Sequence, residues 1–565
     1  MTFLENVKKK IVSRLGAPAL VFSYPPKSDL GDLSLACFEA AKIAQVSPVE
    51  LAKIWAEKIL KDEDLVKLFK EVKPVGPYLN FFISPVYLAT EIIGEVKKDK
   101  EKYGLNNNGR GQQIMIEYSN GNTHKEYHVG HLRNIAYGDA INRLLSANGF
   151  KSIPVSYIND FGIHVAKTIW NWKKNHFFAN QSEPKGFLLG KCYSDASQKL
   201  IDRPEYKLEV AKIMQEIESR SGENYLLWKE TRDWSIDYFS SIYKELNVKF
   251  EKTFYESEVI SDGLEMVETL LDRKILVKSE GAIIANLENY NLGVLPVVRS
   301  DGTALYPVAD LALAVNKFSL YNLVESIYVV DVRQSLHFKQ LFKVLELLGY
   351  QQRLTHLPYD FVTLPDGMMS SRTGNVITYE DLKTKIKSRL NSETRKKHED
   401  WSDEQVAEVV DVLTVAIIKF EMLKVGADKI ITFNIEESLK FDGYTACYLE
   451  YSYARLKSIL RKESSVSLLG KLDFSVLNES RETEILMKIA KYPEIISSAS
   501  VKRNPSELTK YLFELSQLSN DYYHAVNILK SDKKIKKVRL AFIKTISQVL
   551  KNGLGILGLE TLEEM

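Results

Sequence analysis

Apolar residues recur every four positions at the start of the chain, at Val7, Ile11 and Leu15, a stripe that predicts a helix stopped by Gly16 and Pro18. A second helix is expected over residues 33–45. A third opens with a capping arrangement, Ser47 as N-cap, Pro48 at N1 and Glu50 at N3, and then buries Leu51, Ile54, Trp55 and Ile59. The run VKPVGPYLNFFI at 72–83 is strand-like, rich in aromatic residues and interrupted by turn residues. Together these elements predict a separate α+β domain over residues 1–105, closed by the polar linker KKDKEKYGLNNNGRG.

The apolar run Ile114, Met115, Ile116 then gives way to a polar loop and an apolar-periodic helix ending at Gly149, and IPVSYI at 153–158 reads as the next strand. Strand, helix, strand with a loop after the first strand is half of a doubly wound α/β fold, in which ligands gather at the carboxyl ends of the strands. This parallel-sheet nucleotide-binding domain is expected over residues 106–380, with an insertion at about 165–300. From Leu382 the pattern is almost wholly helical, with amphipathic stretches at 403–427, 445–463, 482–498, 506–529 and 533–551. An all-α bundle over residues 381–565 follows.

The length of 565 residues exceeds what one hydrophobic core serves, which agrees with several domains. With 76 Lys and Arg against 74 Asp and Glu, the net charge of +2 leaves room for basic faces and does not exclude an RNA partner. Cys37, Cys192 and Cys447 lie far apart with no CxxC pair, which argues against a disulfide framework or structural zinc and fits a reducing compartment. The start, MTFLENVKKKIVSRLG, is amphipathic, and no window of about 18 apolar residues occurs, so neither a signal peptide nor a membrane span is expected and a cytoplasmic location is.

Chemistry concentrates where the predicted helix after Ile116 begins, at His128, Val129, Gly130 and His131. A helix N-terminus offers unpaired N–H groups and the positive end of a dipole, glycine lets a ligand approach the backbone, and two imidazoles donate to phosphate or developing charge. His124 one turn earlier raises the idea of a metal site, but no cysteine or clear acidic ligand completes it, and no metal ligand is assigned. Neither GxGxxG nor GxxxxGK[ST] is present, so a nucleotide site must be of another kind. Far downstream, a strand ending at 361–364 leads into PDGMMSSRTGN, a loop whose hydroxyl and N–H groups suit a polyphosphate with Arg372 supplying charge; a helix opened by Thr378 and Asp381 follows. Tyr78, Asn80 and Phe82 share one strand face if the strand alternates, a surface for an unstacked base or simply core. Tyr448, Tyr451, Tyr453, Arg455, Lys457 and Arg461 interleave rings and cations at helical spacing, either core and solvated face or a contact for single-stranded bases.

HxGH near the first strand and xMSSR after a late one resemble the two signatures of class I aminoacyl-tRNA synthetases. The surrounding sequence narrows the resemblance to the arginyl-tRNA synthetase family: GPYLNF at 76–81, EYSNGNTHKEYHVGHLRN at 117–134, YINDFG at 157–162, DGTALYPVAD at 301–310, YVVDVRQSLHFKQLFKVLELLG at 329–349 (within which lies Gln334), MMSSRTGNVIT at 368–378 and CYLEYSYARLKSILRK at 447–462. The resemblance implies an ATP-dependent ligase that activates L-arginine to arginyl-adenylate and transfers it to the 3′ end of tRNA(Arg). A catalytically inactive paralogue acting as an RNA-binding protein is the alternative.

By the same resemblance, ATP is held by His128, Gly130, His131, Met369, Ser370, Ser371 and Arg372, with Mg²⁺ on its phosphates. Arginine is held by Glu117, Asn122, Tyr306, Asp310 and Gln334, and tRNA is contacted by Tyr78 and Asn80 at one end and Tyr448, Arg455 and Arg461 at the other. A monomer is expected. The second signature departs from the family pattern, because Met368 and Ser371 stand where lysines are usual. Lys125, just before the first signature, is expected to supply the missing charge, which makes it catalytic alongside His128 and His131. Glu126 replaces a usual Pro, and Val308 and Ala309 a usual Thr and Arg, which touches the support of Asp310.

Overall fold

The structure, a computed structural model, describes residues 2–17, 20–175, 183–363, 365, 377–463 and 472–565. The first helix, Phe3–Leu15, buries Phe3, Leu4, Val7, Ile11 and Leu15, carries a Thr2–Glu5 capping box, and ends where Gly16 takes the left-handed conformation at φ 72°. It packs with the Pro48–Leu60 helix near an antiparallel sheet of β1 (Phe22–Ser23), β2 (Leu33–Ala36), β3 (Phe69–Val75) and β4 (Tyr78–Ile83), in the order β1-β2-β4-β3. Three details differ from the sequence expectation. Residues 33–36 are a strand rather than the start of a helix, because Leu33 and Leu35 fill the core against β4 while the helix begins only at Phe38. Ile54 is exposed, leaving Leu51, Trp55 and Ile59 to seat their helix. The run at 72–83 is a hairpin, turned at Gly76 with φ 54°.

The catalytic-type sheet consists of β5 (Gln113–Glu117), β6 (Lys151–Ile158), β7 (Lys252–Tyr255), β11 (Leu323–Asp331) and β12 (Arg353–Tyr359), all parallel in the order β12-β11-β5-β6-β7. The chain runs from β5 to β6 and β7 on one side and returns to β11 and β12 on the other, so the order reverses beside β5. That reversal opens a crevice at the strand ends, where Glu117 lies. The Val129–Ala147 helix makes the first crossover and is buried almost all round, polar Arg133, Asn134 and Asp139 included. Its Gly138 is obligatory, since a Cβ there would strike the ring of Tyr118, next to Glu117.

Between β6 and β7 the insertion is helical, with Lys185–Asp202, Lys207–Glu218 and Gly222–Glu245. A small antiparallel sheet follows, made of β8 (Val277–Ser279), β9 (Ala282–Asn286) and β10 (Val294–Val298) in the order β10-β9-β8. Beyond the short parallel pair β13 (Val362–Thr363) and β14 (Ile431–Thr432), the described part is helical to Ile556. The expected helix at 482–498 is two, Ser480–Ala490 and Tyr492–Val501, broken where Pro493 enters the first turn of the second.

Candidate active site

The two histidines are fixed by the helix start itself. His128 is the N-cap of the Val129–Ala147 helix; its Nδ1 accepts from Gly130 N at 3.1 Å, and His131 Nδ1 accepts from His128 N at 3.1 Å. This is a capping box built from imidazoles in place of the usual hydroxyl and carboxylate. The rings lie 3.8 Å apart, and the Tyr127 ring is 4.7 Å from His131. Burial, then the neighbouring Lys125, pulls His128 down to about 4; His131 falls well below its ordinary value through burial, His128 and Lys125. Both rings are therefore neutral at pH 7. With each Nδ1 accepting, the ring proton resides on Nε2, which leaves two hydrogen-bond donors at the mouth of a helix dipole.

The loop leading to them is tied to β6. Asn122 bridges to Asn159, Thr123 N donates to Asn159 O at 2.9 Å and Asn159 N to Gly121 O at 2.9 Å. His124 is a packed core residue, hydrogen-bonded to Thr123 at 2.9 Å and Thr231 at 2.7 Å, and burial lowers it to about 3. Among the described residues no group of three His, Cys, Asp or Glu is gathered to hold a metal ion. Lys125 is half-buried, with Nζ 5.3 Å from the Tyr193 ring, and its pKa is lowered by burial and then by Lys167. Met369, Ser370, Ser371 and Arg372 lie outside the described residues. The residues just after them are anchored at the histidines: Thr378 forms a β-bridge with His128, Val129 N donates to Ile377 O at 3.3 Å, and Tyr379 N to Tyr127 O at 2.7 Å.

Acidic residues gather at the other end of the crevice. Asp310, on the Tyr306–Leu320 helix, accepts from His337 Nε2 at 2.7 Å. Tyr306, one turn before it, is 70% exposed, and Gln334, N-cap of the Ser335–Leu347 helix, is exposed too. Glu117, expected at the arginine, stands at the end of β5. It is 3% exposed and ion-paired with the fully buried Lys317, with Asn120 Nδ2 on its other oxygen at 3.2 Å. Burial opposes the Lys317 charge, but Glu117 outweighs it and holds that pKa above the ordinary lysine value. Both oxygens of Glu117 therefore have partners within the chain.

Glu256 was missed in the sequence. It follows β7 directly, is 8% exposed, and its Oε2 has no hydrogen-bond partner. Burial, then Asp310 and Asp160, pushes its carboxyl up to about 8. Asp160 is already satisfied, by Arg232 Nε at 2.5 Å and by Ser257 N and Oγ at 2.9 and 2.7 Å. Tyr157, in β6 opposite Phe254 of β7, is raised by burial and then by Asp310 and Glu256. The two acids therefore differ: Glu256 has an oxygen without a hydrogen-bond partner, whereas Asp310 is paired with His337.

The outlying candidates divide. Tyr78 is 41% exposed and meets Phe38 edge-on at 5.7 Å. Asn80, expected beside it on the surface, is instead 5% exposed and accepts from Ser34 Oγ at 2.6 Å, because β4 is an interior strand. Arg455 lies 4.5 Å from the Tyr451 ring centroid and 4.8 Å from that of Tyr523, and donates to Tyr451 Oη at 2.6 Å and Asn520 Oδ1 at 3.1 Å. Tyr448 is half-buried, 5.5 Å from Phe513. Arg461 is taken up by the chain end, donating to Glu563 O at 2.5 Å and Glu564 Oε1 at 3.2 Å.

Residues 93–433 match the family model of tRNA synthetases class I (R), catalytic domain. The chain belongs to the arginyl-tRNA synthetase family. Residues 3–83 match the arginyl tRNA synthetase N terminal domain and 449–565 the DALR anticodon binding domain. Arginine--tRNA ligase of Bdellovibrio bacteriovorus is 35% identical over 551 residues, covering 96% of this chain and 93% of the relative; that of Clostridium perfringens is 33% identical over 565 residues, covering 99% of each. Among solved structures, the Thermus thermophilus arginyl-tRNA synthetase superposes with a TM-score of 0.83 at 25% identity over 100% of this chain and 99% of that one. Membership of the family makes the doubly wound sheet a class I synthetase catalytic domain and the chain an enzyme.

Proposed function

We propose that the crevice beside β5 carries ATP-dependent activation of L-arginine and its transfer to tRNA(Arg), with the phosphates at the histidines and the guanidinium at the acids. Family membership supports the overall reaction. The residue roles rest on one observation, two neutral Nε2 donors at the helix start that follows β5 and a buried, unpartnered carboxyl, Glu256, directly after β7 of the same parallel sheet, with Asp310 acting on it.

In the first step the arginine carboxylate attacks the α-phosphorus in line, the bond to pyrophosphate breaks, and arginyl-adenylate forms. His128 and His131 donate from Nε2 to the phosphate oxygens as charge develops there, and Gly130 lets the nucleotide lie against the helix start. Lys125, whose ammonium is partly desolvated, adds positive charge near the phosphates. Glu256 and Asp310 grip the guanidinium, a planar cation with five donors that suits two carboxylates better than an ammonium does. Asn122, Tyr306 and Gln334 line the space between. In the second step a hydroxyl of the terminal tRNA ribose attacks the activated carbonyl and AMP leaves. Mg²⁺ enters with ATP as part of that substrate. The protein's work is orientation and charge stabilisation, and no side chain is assigned as a general base.

Arg455 with Tyr451 and Tyr523 offers a cation between rings for an unstacked anticodon base, and Tyr78 offers a ring at the other end. The enzyme acts as a cytoplasmic monomer in this reading. Three free thiols support a reducing compartment, and no helix among the described residues is long and apolar enough to cross a membrane. ATP–pyrophosphate exchange measured across the amino acids, with and without tRNA, tests the proposal. Arginine-specific exchange is the expected result; tRNA binding without exchange, or exchange with another amino acid, would overturn it.

A further inference from the structure

Arg133 has a use that its burial alone does not explain. It sits two residues after His131 and is 1% exposed. Among the described residues no carboxylate hydrogen-bonds or ion-pairs with its guanidinium; burial lowers its pKa to about 10, outweighing Asp360 and Asp428, which act favourably on its charge. Nη1 donates to Met422 O, Nη2 donates to Gly426 O at 3.0 Å, and Nε has no partner at all. Both carbonyls lie at the end of the Asp403–Leu423 helix, where the dipole is negative and a cation is favoured. A buried cation with an unsatisfied N–H is a costly way to pack two helices, and an apolar side chain would do that more cheaply. What the guanidinium alone provides is a forked grip on two carbonyls four residues apart.

The same short stretch holds the other nucleotide segment. Asp360 N donates to Ala427 O at 2.9 Å, Ile431 N to Phe361 O at 3.0 Å and Phe433 N to Thr363 O at 2.8 Å, while β13 pairs with β14 through Val362–Ile431 and Thr363–Thr432. Thus 422–433 is bonded on one side to the histidine helix and on the other to the strand that enters the second signature. Further along, the histidine helix is bonded three times more to the all-α part, once by Arg143 Nη1, which donates to Gly555 O at 3.4 Å. Tyr137 Oη donates to Arg503 O at 2.9 Å, and Asp139 accepts from Lys419 Nζ at 2.9 Å, which also donates to Gly558 O at 3.2 Å.

We infer that Arg133 is a positioning residue that locks the start of the histidine helix and the strand ending at Thr363 to the end of the Asp403–Leu423 helix, so that a shift in the all-α part is passed to the histidines and to that strand together. This inference rests on the activity proposed above. It assigns no contact with substrate to Arg133: the side chain acts through the placing of His128, His131 and the strand before residue 364. A merely structural role predicts lost stability with unchanged turnover of the folded enzyme. A positioning role predicts lost turnover at saturation with substrate and tRNA affinities retained.

The test uses the full-length chain with Arg133→Met and Arg133→Lys. Melting curves, tRNA binding, and the kcat and KM of arginine-dependent exchange are measured at saturating tRNA, well below each melting temperature. Arg133→Met is expected to lower kcat by roughly 30-fold, with KM for arginine and Kd for tRNA within about twofold, and Arg133→Lys, which keeps the charge and one bond, to recover part of the loss. A kcat within about threefold of wild type in the folded Lys variant, or in a folded Met variant, overturns the inference. If Arg133→Met does not fold, the Lys variant decides alone. Amide hydrogen exchange supplies a readout independent of activity. Arg133→Lys should lose protection at 128–132 and at 377–382 while the N-terminal sheet keeps its own, and unchanged protection at both segments contradicts the lock. Absence of exchange in the wild-type enzyme would sink the proposed activity instead, and hydrogen exchange would still judge Arg133.

Discussion

The two ends of the crevice are both buried, and burial does opposite things to them. At the histidine end it removes charge: His128 falls to about 4, His131 is lowered as well, and each ring becomes a fixed Nε2 donor held by a backbone N–H on Nδ1. At the acidic end it raises Glu256 to about 8, so that this carboxyl holds its proton at pH 7, a proton that the guanidinium of the proposed substrate would displace. In the proposed reading one end is ready before its ligand arrives, and the other is completed by the ligand's charge. Glu117 marks the boundary, since its internal partner Lys317 makes it part of the frame.

The largest way to break this contrast is at the prepared end. His131→Ala should lower the exchange kcat by about 10²-fold or more while leaving KM for arginine nearly unchanged, because a donor to developing charge is removed. At the ligand-completed end the split should reverse. Glu256→Gln is expected to raise KM for arginine by roughly 30-fold with a much smaller effect on kcat, as one charge-assisted partner of the guanidinium is lost. Equal effects on kcat and KM in both variants would erase the distinction. Outside the crevice, Arg455→Ala should raise KM for tRNA by about tenfold with tRNA-saturated exchange unaltered, since it removes a stacked cation far from both ends.

The smallest effect is on stability, and here the two ends have opposite signs. A histidine whose folded pKa is depressed contributes stability that is present above its unfolded value of 6.5 and is lost as pH falls towards about 4 for His128. A carboxyl whose folded pKa is raised destabilises the fold as pH rises from 4.5 towards about 8 for Glu256. Glu256→Gln should therefore raise the melting temperature at pH 8 by a few degrees at most, an advantage that vanishes near pH 4.5, while saturating arginine stabilises the wild type more than the variant. A variant less stable than wild type at pH 8 would count against an uncompensated carboxylate.

The histidine end was legible because its chemistry is local. Helix start, glycine and imidazoles occur within four residues, and the order of the two signatures along the chain placed them in a doubly wound sheet. The acidic end was only half legible, because its members come from β7, the Tyr306–Leu320 helix and the Ser335–Leu347 helix, and long-range pairing decides their state. Nothing in YESEV distinguishes Glu256 from an exposed acid; a carboxylate directly after a sheet strand was the one available sign. Glu117 was placed correctly at a strand end, but its partner 200 residues away was invisible to pattern. Asn80 and residues 33–36 failed for a related reason, since alternation does not say which strands become interior.

Calorimetry of arginine binding to the full-length enzyme, in buffers of different ionisation enthalpy at pH 7, measures the central claim most directly. With Glu256 at about 8 in the empty chamber and ionised against the bound guanidinium, about 0.9 proton should be released per arginine bound, and none by Glu256→Gln. Arginine binding by the wild type without proton release would contradict the account.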